Sequence, residues 1–376
     1  MSSIYIHIPF CKQACHYCDF HFSTSLKHKS ELVDAICKEL EMRKNHLPDE
    51  IQNIYFGGGT PSLLSFEELE QIFETIDKHY QVSEKPEITL EANPDDLSED
   101  YLKKLSKTRI NRLSIGVQSF FQEDLKLMNR AHNAEEAEQS ILMAQRYFDN
   151  ISIDLIYGIP KMSEMRWTQN IEKTIALGVP HISSYALTVE PNTALKYFID
   201  KAVIPPIDDD LAKLHYDILL QKTAEAGFDN YEFSNFGKSG YFSQNNTAYW
   251  TGKFYLGIGP SAHGFIENTR SWNVNHNIKY IKAINTGELP QNTEVLSKTD
   301  AYNEYVMTRL RTKWGANLLE IEDKFGLNFK TYLLQQAEPH FQNGLLEVNE
   351  NSVKVTKTGK FLTDGIAADL FKLNLK

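Results

Sequence analysis

The segment IYIHIPFCKQACHYCDF (residues 4–20) joins a short apolar, β-branched run to three cysteines within eight residues. The run reads as a buried strand, which puts Cys11, Cys15 and Cys18 on the loop that follows it. The chain has four cysteines, and the spacing Cys11-x3-Cys15-x2-Cys18 has no second CxxC to answer it. Thiolates are soft ligands that select zinc, copper(I) or iron–sulfur clusters. Structural zinc takes four protein ligands, and His7, His16 or His21 could complete a Cys3His site. A four-iron cluster can instead be held by three cysteines, with one iron left open for chemistry. Cys37 falls on the apolar side of a helical pattern and reads as core filling.

Outward from this loop the strand pattern repeats. The further runs are IQNIYF (51–56), EITLEA (87–92), NRLSIGV (111–117), ISIDLIYG (151–158) and HISSYAL (181–187). Several are apolar on both faces, as strands of a buried parallel sheet are. Helical patterns lie between them: 30–44, 65–80 with a Ser65–Glu68 capping box, 134–148, and around 163–177. Six strands, each followed by a helix, predict an α/β fold. Right-handed crossovers would roll it into a partial (β/α)6 parallel barrel. After about residue 205 the texture changes. One more helix ends near Gly227, and an aromatic, Gly- and Asn-rich stretch follows (228–265). Helical patterns resume at Thr299 and close on a hairpin pattern at 344–362. The expected units are a barrel with the cysteine loop (1–230), a connecting region packed on it (231–298), and a mainly helical, winged-helix-like domain (299–376).

Apolar residues make up 41%, a globular composition, and 39 basic against 50 acidic residues give a net charge of −11. This balance argues against broad nucleic-acid or anionic-membrane binding, and the helix at 316–338 is not basic enough for a DNA reader. No apolar run reaches membrane-spanning length, and the N-terminus lacks the parts of a secretion signal. The expected location is the cytoplasm, where thiols stay reduced and a disulfide is the poorer reading.

The predicted strand ends carry the other candidate site residues. The second ends in Gly57-Gly58-Gly59-Thr60-Pro61, which is not a P-loop. The third places Glu91 at its rim, and the fourth leads to Gln118, with Arg130 a short way on. Asp154 lies in the fifth. Acids within apolar strands are costly unless paired. Each alone could be a solvated strand end; their recurrence at successive rims points to one site. GIGPSA (257–262) fits the dinucleotide pattern GxGxxA, but Pro260 lies inside it and no helix start follows.

A CxxxCxxC loop after the first strand of a parallel α/β chain resembles the radical S-adenosylmethionine (SAM) superfamily. The resemblance implies a [4Fe-4S] cluster on Cys11, Cys15 and Cys18, with SAM chelated at the open iron. It implies that Gly57, Gly58, Gly59 and Thr60 meet the amino group of SAM. Glu91, Gln118, Arg130 and Asp154 would hold its ribose and charged ends, and Tyr5, Phe20 and Ala186 would complete the cofactor-binding set.

The succession HIPFC, CxxxCxxC, GGGTP, EANP, GVQSF, DLIYGIP and YALTVEP is similar to the family of oxygen-independent coproporphyrinogen III dehydrogenase over nearly the whole chain. The dehydrogenase branch carries CxxxCxxCxC and a substantial N-terminal extension. Here Phe20 stands two residues beyond Cys18, and ten residues precede Cys11. Both are features of the heme chaperone (HemW-like) branch. The resemblance therefore implies heme as cargo, with heme-accepting proteins as partners, membrane-associated ones among the candidates. SAM would be cleaved slowly, or would complete the cluster and regulate transfer or self-association into an oligomer. Two alternatives stand beside this: an oxidoreductase that decarboxylates coproporphyrinogen propionates to vinyls, and a zinc-binding winged-helix regulator. The chaperone branch carries HNxxYW, linked to heme binding, whereas this chain reads Asn245-Asn246-Thr247-Ala248-Tyr249-Trp250. An amide is a poor iron ligand beside imidazole. His263 and His276 are the candidate replacements, though a lone histidine is more often a hydrogen-bonded structural residue. Tyr249 and Trp250 could stack on a porphyrin or belong to the core.

Overall fold

The computed structural model describes residues 2–373; Met1 and residues 374–376, at the outer ends of the first and third expected units, lie outside the described residues. Six strands run parallel and adjacent: β1 (Ser2–Ile8), β2 (Ile51–Gly58), β3 (Val82–Ala92), β4 (Arg112–Gln118), β5 (Asn150–Tyr157) and β6 (His181–Ala186). They follow the six expected runs. Only β3 differs markedly: it begins five residues early, in the polar stretch Val82–Pro86, which carries no apolar signal.

The chain then adds two antiparallel strands beyond β6, β7 (Asp229–Glu232) and β8 (Asn235–Gly237), with β8 paired to β6. A strand the sequence reading assigned to a connecting stretch, β9 (Phe254–Ile258), lies parallel to β1 on its free side. From β9 the sheet continues antiparallel through β10 (His263–Ile266), β11 (Thr269–Asn273) and β12 (Gln291–Val295). The full order is β12-β11-β10-β9-β1-β2-β3-β4-β5-β6-β8-β7. β12 and β7 do not pair with each other, so the barrel is partial.

Strand alternation sorts the side chains. Ile4, Ile6 and Ile8 of β1 are fully buried, as are Leu32, Ile36 and Leu40 of the helix Lys29–Met42. The helix Phe66–His79 adds Leu69, Ile72, Phe73 and Ile76, and the Ser65–Glu68 capping box closes its N-terminus. All belong to one core that runs from Ile4 to Ile284. The opposite face of the strands is polar, with Tyr5 and His7 on β1, Glu87 and Glu91 on β3, and Arg112 and Ser114 on β4.

A buried carboxylate ties β9 into this frame. Glu39, fully buried on the helix Lys29–Met42, accepts hydrogen bonds from Arg43 (3.1 Å), Asn273 (2.8 Å), Tyr280 (2.6 Å) and the Gly259 N–H (2.9 Å). Arg43 also donates to the Gly257 carbonyl (3.0 Å). The GxGxxA match at 257–262 is thus spent on packing.

A second core, Tyr302 to Leu370, lies among the helices Lys298–Leu310, Leu318–Phe325, Leu327–Gln342 and Thr363–Asp369. Its three-stranded antiparallel sheet pairs Ala316–Asn317 with Ser352–Val355, and that strand with Leu346–Asn349. Glu350 and Asn351 (φ 48° and 64°) make the tight turn between the latter two. The hairpin is shorter than the 344–362 pattern, because the chain turns at Thr356 and enters a short 3-10 helix at Lys360.

Candidate functional site

At the C-terminal ends of the parallel strands a cavity of about 420 Å³ opens beside the cysteine loop. The loop is fastened at its base, where Cys11 N–H donates to Ser23 O (3.0 Å) and Ser23 N–H to Pro9 O (2.9 Å). Its far side is held by the segment after β4. His16 N–H donates to Met128 O (3.1 Å), Gln13 to Asn129 O (2.8 Å), and Asn129 to Ala14 O (2.7 Å).

Cys11, Cys15 and Cys18 line the cavity, as do Phe20, Gly58, Gly59, Thr60, Glu91, Gln118, Arg130, Asp154 and Ala186. Tyr5 and Gly57 do not. They sit lower in the strands, where the Tyr5 hydroxyl meets His7 Nδ1 (3.2 Å) and a side chain at Gly57 would strike the rings of Tyr55 and Tyr5.

Arg130 is the node of the site. It donates to Cys15 Sγ (3.3 Å), Asn93 Oδ1 (2.6 Å) and Gly116 O (2.7 Å), while its Nε is buried without a partner. Asn93 passes the chain on to Thr60 Oγ1 (3.2 Å). Glu91 accepts from the Tyr55 hydroxyl (2.7 Å) and the Gly58 N–H (3.1 Å). Burial pushes its carboxyl up to about 7, against the pull of the Tyr55 hydrogen bond and with added repulsion from Asp154. Burial likewise raises Asp154 to about 6, opposed by hydrogen bonds from Ser183 and Ser114 and by Arg112. Burial pushes the Cys18 thiol up to about 11, so loading a metal on it displaces a proton.

The glycines serve close approach. Gly58 has φ +107°, and a Cβ there would meet the His7 ring at 2.6 Å. A Cβ on Gly59 would meet the Phe10 backbone at 2.6 Å, and its N–H donates to Ile8 O (2.9 Å). Gln118 adopts φ +67° where the β4–β5 register shifts, which turns its side chain toward the cavity.

The donor chemistry fits an iron–sulfur cluster better than zinc. Three thiols share one cavity wall, and no histidine lines it. His7 Nε2 and His16 Nδ1 are bonded to the carbonyls of His21 and Leu127, and His21 Nε2 to Asn277. Cys37 lies elsewhere, with its thiol on Gln71 O (3.7 Å). Among the described residues no three His, Cys, Asp or Glu side chains converge as a ready-made metal site. The fit therefore rests on the donor set and the shared cavity.

Several lining residues escaped the sequence reading: Tyr17, Asn93, Ser114 and Tyr185. Strand alternation could have found Ser114, which lies on the same strand face as Gly116. Asn93 stands two beyond Glu91. The Asn245–Trp250 segment lies in the helix Gln244–Trp250, and none of its residues lines the cavity. Asn245 is 2% exposed. Tyr249 packs edge-on against Tyr255 (4.4 Å), and Trp250 lies under the Arg311 guanidinium (5.1 Å).

A cysteine loop at the rim of a partial barrel, facing glycines, two half-buried acids and one arginine, makes a radical SAM fold. Residues 5–174 match the Radical SAM superfamily and 296–362 the HemN C-terminal domain. The structure of the coproporphyrinogen III oxidase HemN from Escherichia coli superposes with a TM-score of 0.84 at 24% identity, covering 99% of this chain and 90% of that one. The heme chaperone HemW of Bacillus subtilis (strain 168) is 34% identical over 370 residues, 96% of this chain and 97% of the relative. That of Lactococcus lactis (strain IL1403) is 33% identical over 376 residues, 97% and 98%. The chain belongs to the family of the heme chaperone HemW.

Proposed function

We propose that the chain holds a [4Fe-4S] cluster on Cys11, Cys15 and Cys18, takes SAM at the open iron, and carries heme to acceptor proteins. The observation that carries this reading is the loop itself: three thiols at one cavity, with Phe20, 66% exposed, where the dehydrogenase pattern has a further cysteine. When bound, the cluster and SAM supply one-electron reductive chemistry. The protein's part is placement. Arg130 fixes the loop through Cys15 and ties it to β3 and β4. Glu91 and Asp154 set negative charge where a sulfonium or ammonium would lie, and Gly58, Gly59 and Thr60 let the backbone approach it. We place the working location in the cytoplasm; no helix among the described residues is long and apolar enough to cross a membrane. The unit boundaries at 230 and 298 belong to the same proposal.

The test is anaerobic reconstitution followed by two assays on one preparation. Heme titration is expected to give a Soret shift with cluster bound. Incubation with coproporphyrinogen III, SAM and reductant is expected to give no vinyl product. Vinyl products with stoichiometric 5′-deoxyadenosine would replace the chaperone reading with the dehydrogenase one. A colourless, zinc-loaded protein would remove both.

A further inference from the structure

The cargo reading leaves the iron of the heme without a ligand. Asn245 offers an amide at a buried position on the helix Gln244–Trp250. His7, His16, His21, His28, His46, His132, His181 and His215 each commit a ring nitrogen to a hydrogen bond. His79 and His340 face Glu41 and Asp369. His276 caps the helix Asn277–Asn285, its Nδ1 accepting from the Lys279 N–H (3.4 Å). A bond at one ring nitrogen leaves the other able to ligate, so surroundings decide among the exposed histidines. His263 is exposed, shows no hydrogen-bond or ionic partner on either nitrogen among the described residues, and is paired across the ladder with Trp272.

Its surroundings suit a metal-bound imidazole. His263 opens β10 and lies directly opposite Trp272 of β11, so the two side chains share one face of the ladder. Their rings are nearly parallel, 21° apart with centroids at 6.3 Å. The indole thereby lies beside the imidazole on one face of the ladder. Two residues along, Phe265 faces Arg270 on the same side, and the Phe265 ring lies 6.4 Å from that of Tyr255. Tyr255 in turn supports Tyr249 of the Asn245–Trp250 helix. The face thus combines a free imidazole, half-buried aromatic surface and a half-exposed arginine, held by Glu304 (2.9 Å). Heme presents the matching groups: an iron, a flat apolar ring and two carboxylates. Partial burial and the nearby Arg270 keep the His263 ring below its ordinary pKa, hence neutral and able to ligate at pH 7.

We infer that His263 is the axial ligand of the heme iron, with the porphyrin lying against the Phe265–Tyr255 face. This rests on the cargo function proposed above and goes beyond it in naming the ligand and the surface.

The experiment is a titration of the full chain with ferric heme, followed by absorption and EPR, on wild type, His263→Ala and His276→Ala. Circular dichroism checks that each is folded. Wild type and His276→Ala are expected to bind heme with an imidazole-ligated spectrum. His263→Ala is expected to lose that spectrum and to bind about tenfold or more weakly, with added imidazole restoring the coordination signature. If wild type binds heme and His263→Ala matches it in affinity and spectrum, the ligand assignment is wrong and the cargo function stands. The same conclusion follows if His276→Ala is the variant that loses the spectrum. If wild type takes up no heme at all, the cargo function fails, and the ligand assignment with it.

Discussion

At the scale of single residues the site turns on one arginine and two acids. Arg130 binds a thiol from one nitrogen and an amide and a carbonyl from the other, a spread that its planar fork provides and the single nitrogen of an ammonium does not. Arg130→Lys is therefore expected to lower iron and sulfide content after reconstitution severalfold, with the far-ultraviolet circular dichroism unchanged. Glu91 and Asp154 hold their protons to about pH 7 and 6. A cationic ligand favours their ionised forms. SAM affinity of the reconstituted protein should thus rise about tenfold between pH 6 and pH 8, as Glu91 goes from mostly protonated to mostly ionised. Equilibrium dialysis at the two pH values checks it, and Glu91→Gln should flatten the profile. Stability runs the other way. The folded acids bind protons that the unfolded chain has already released, so these two groups cost stability as pH rises from about 4 to about 7. The main residues of this site were legible because chemistry at strand ends has a strong signal: three close cysteines, a glycine run, acids in apolar strands. Tyr17, Asn93 and Tyr185 had no such signal, since an aromatic or amide beside a motif looks like any other. Tyr5 stands beside Glu91 beneath the cavity lining, a depth that the sequence does not mark.

At the scale of elements, the six parallel strands were readable as continuous β-branched runs bounded by helical periods. β9 was not. It has five residues flanked by Gly252 and Gly259; Phe254 pairs with Ser2, and its carbonyl accepts from the Ser3 hydroxyl, 251 positions away. Nothing local announces such a partner. What fixes it is the Glu39–Arg43 pair, whose side chains are 0% and 3% exposed. Removing one member of a buried pair strands the other's charge, at about 3–5 kcal/mol. Glu39→Ala should destabilise the protein by that order in chemical denaturation, whereas Glu31→Ala on the exposed side of the same helix should change little.

At the scale of the whole molecule, the second core covers what would otherwise be an open sheet edge. Lys313 N–H donates to Tyr231 O of β7 (3.0 Å), and Thr312 bridges to Glu232. An uncovered edge is a template for pairing between chains. A chain ending at Leu296 should therefore self-associate more than the full chain does, as light scattering of matched concentrations would record. If it stayed monodisperse, the covering role would be wrong.

The fastening of the cysteine loop has a consequence for a cell that meets oxygen. Its base and flank are held by protein-to-protein hydrogen bonds that involve no iron. If the loop holds the cluster proposed above, oxidative loss of that metal should leave a molecule that keeps its outline and stays out of reach of the proteases that clear unfolded chains. Damage of this kind would be repaired by refilling rather than by synthesis, and the stock of empty protein would act as a reserve once air is gone.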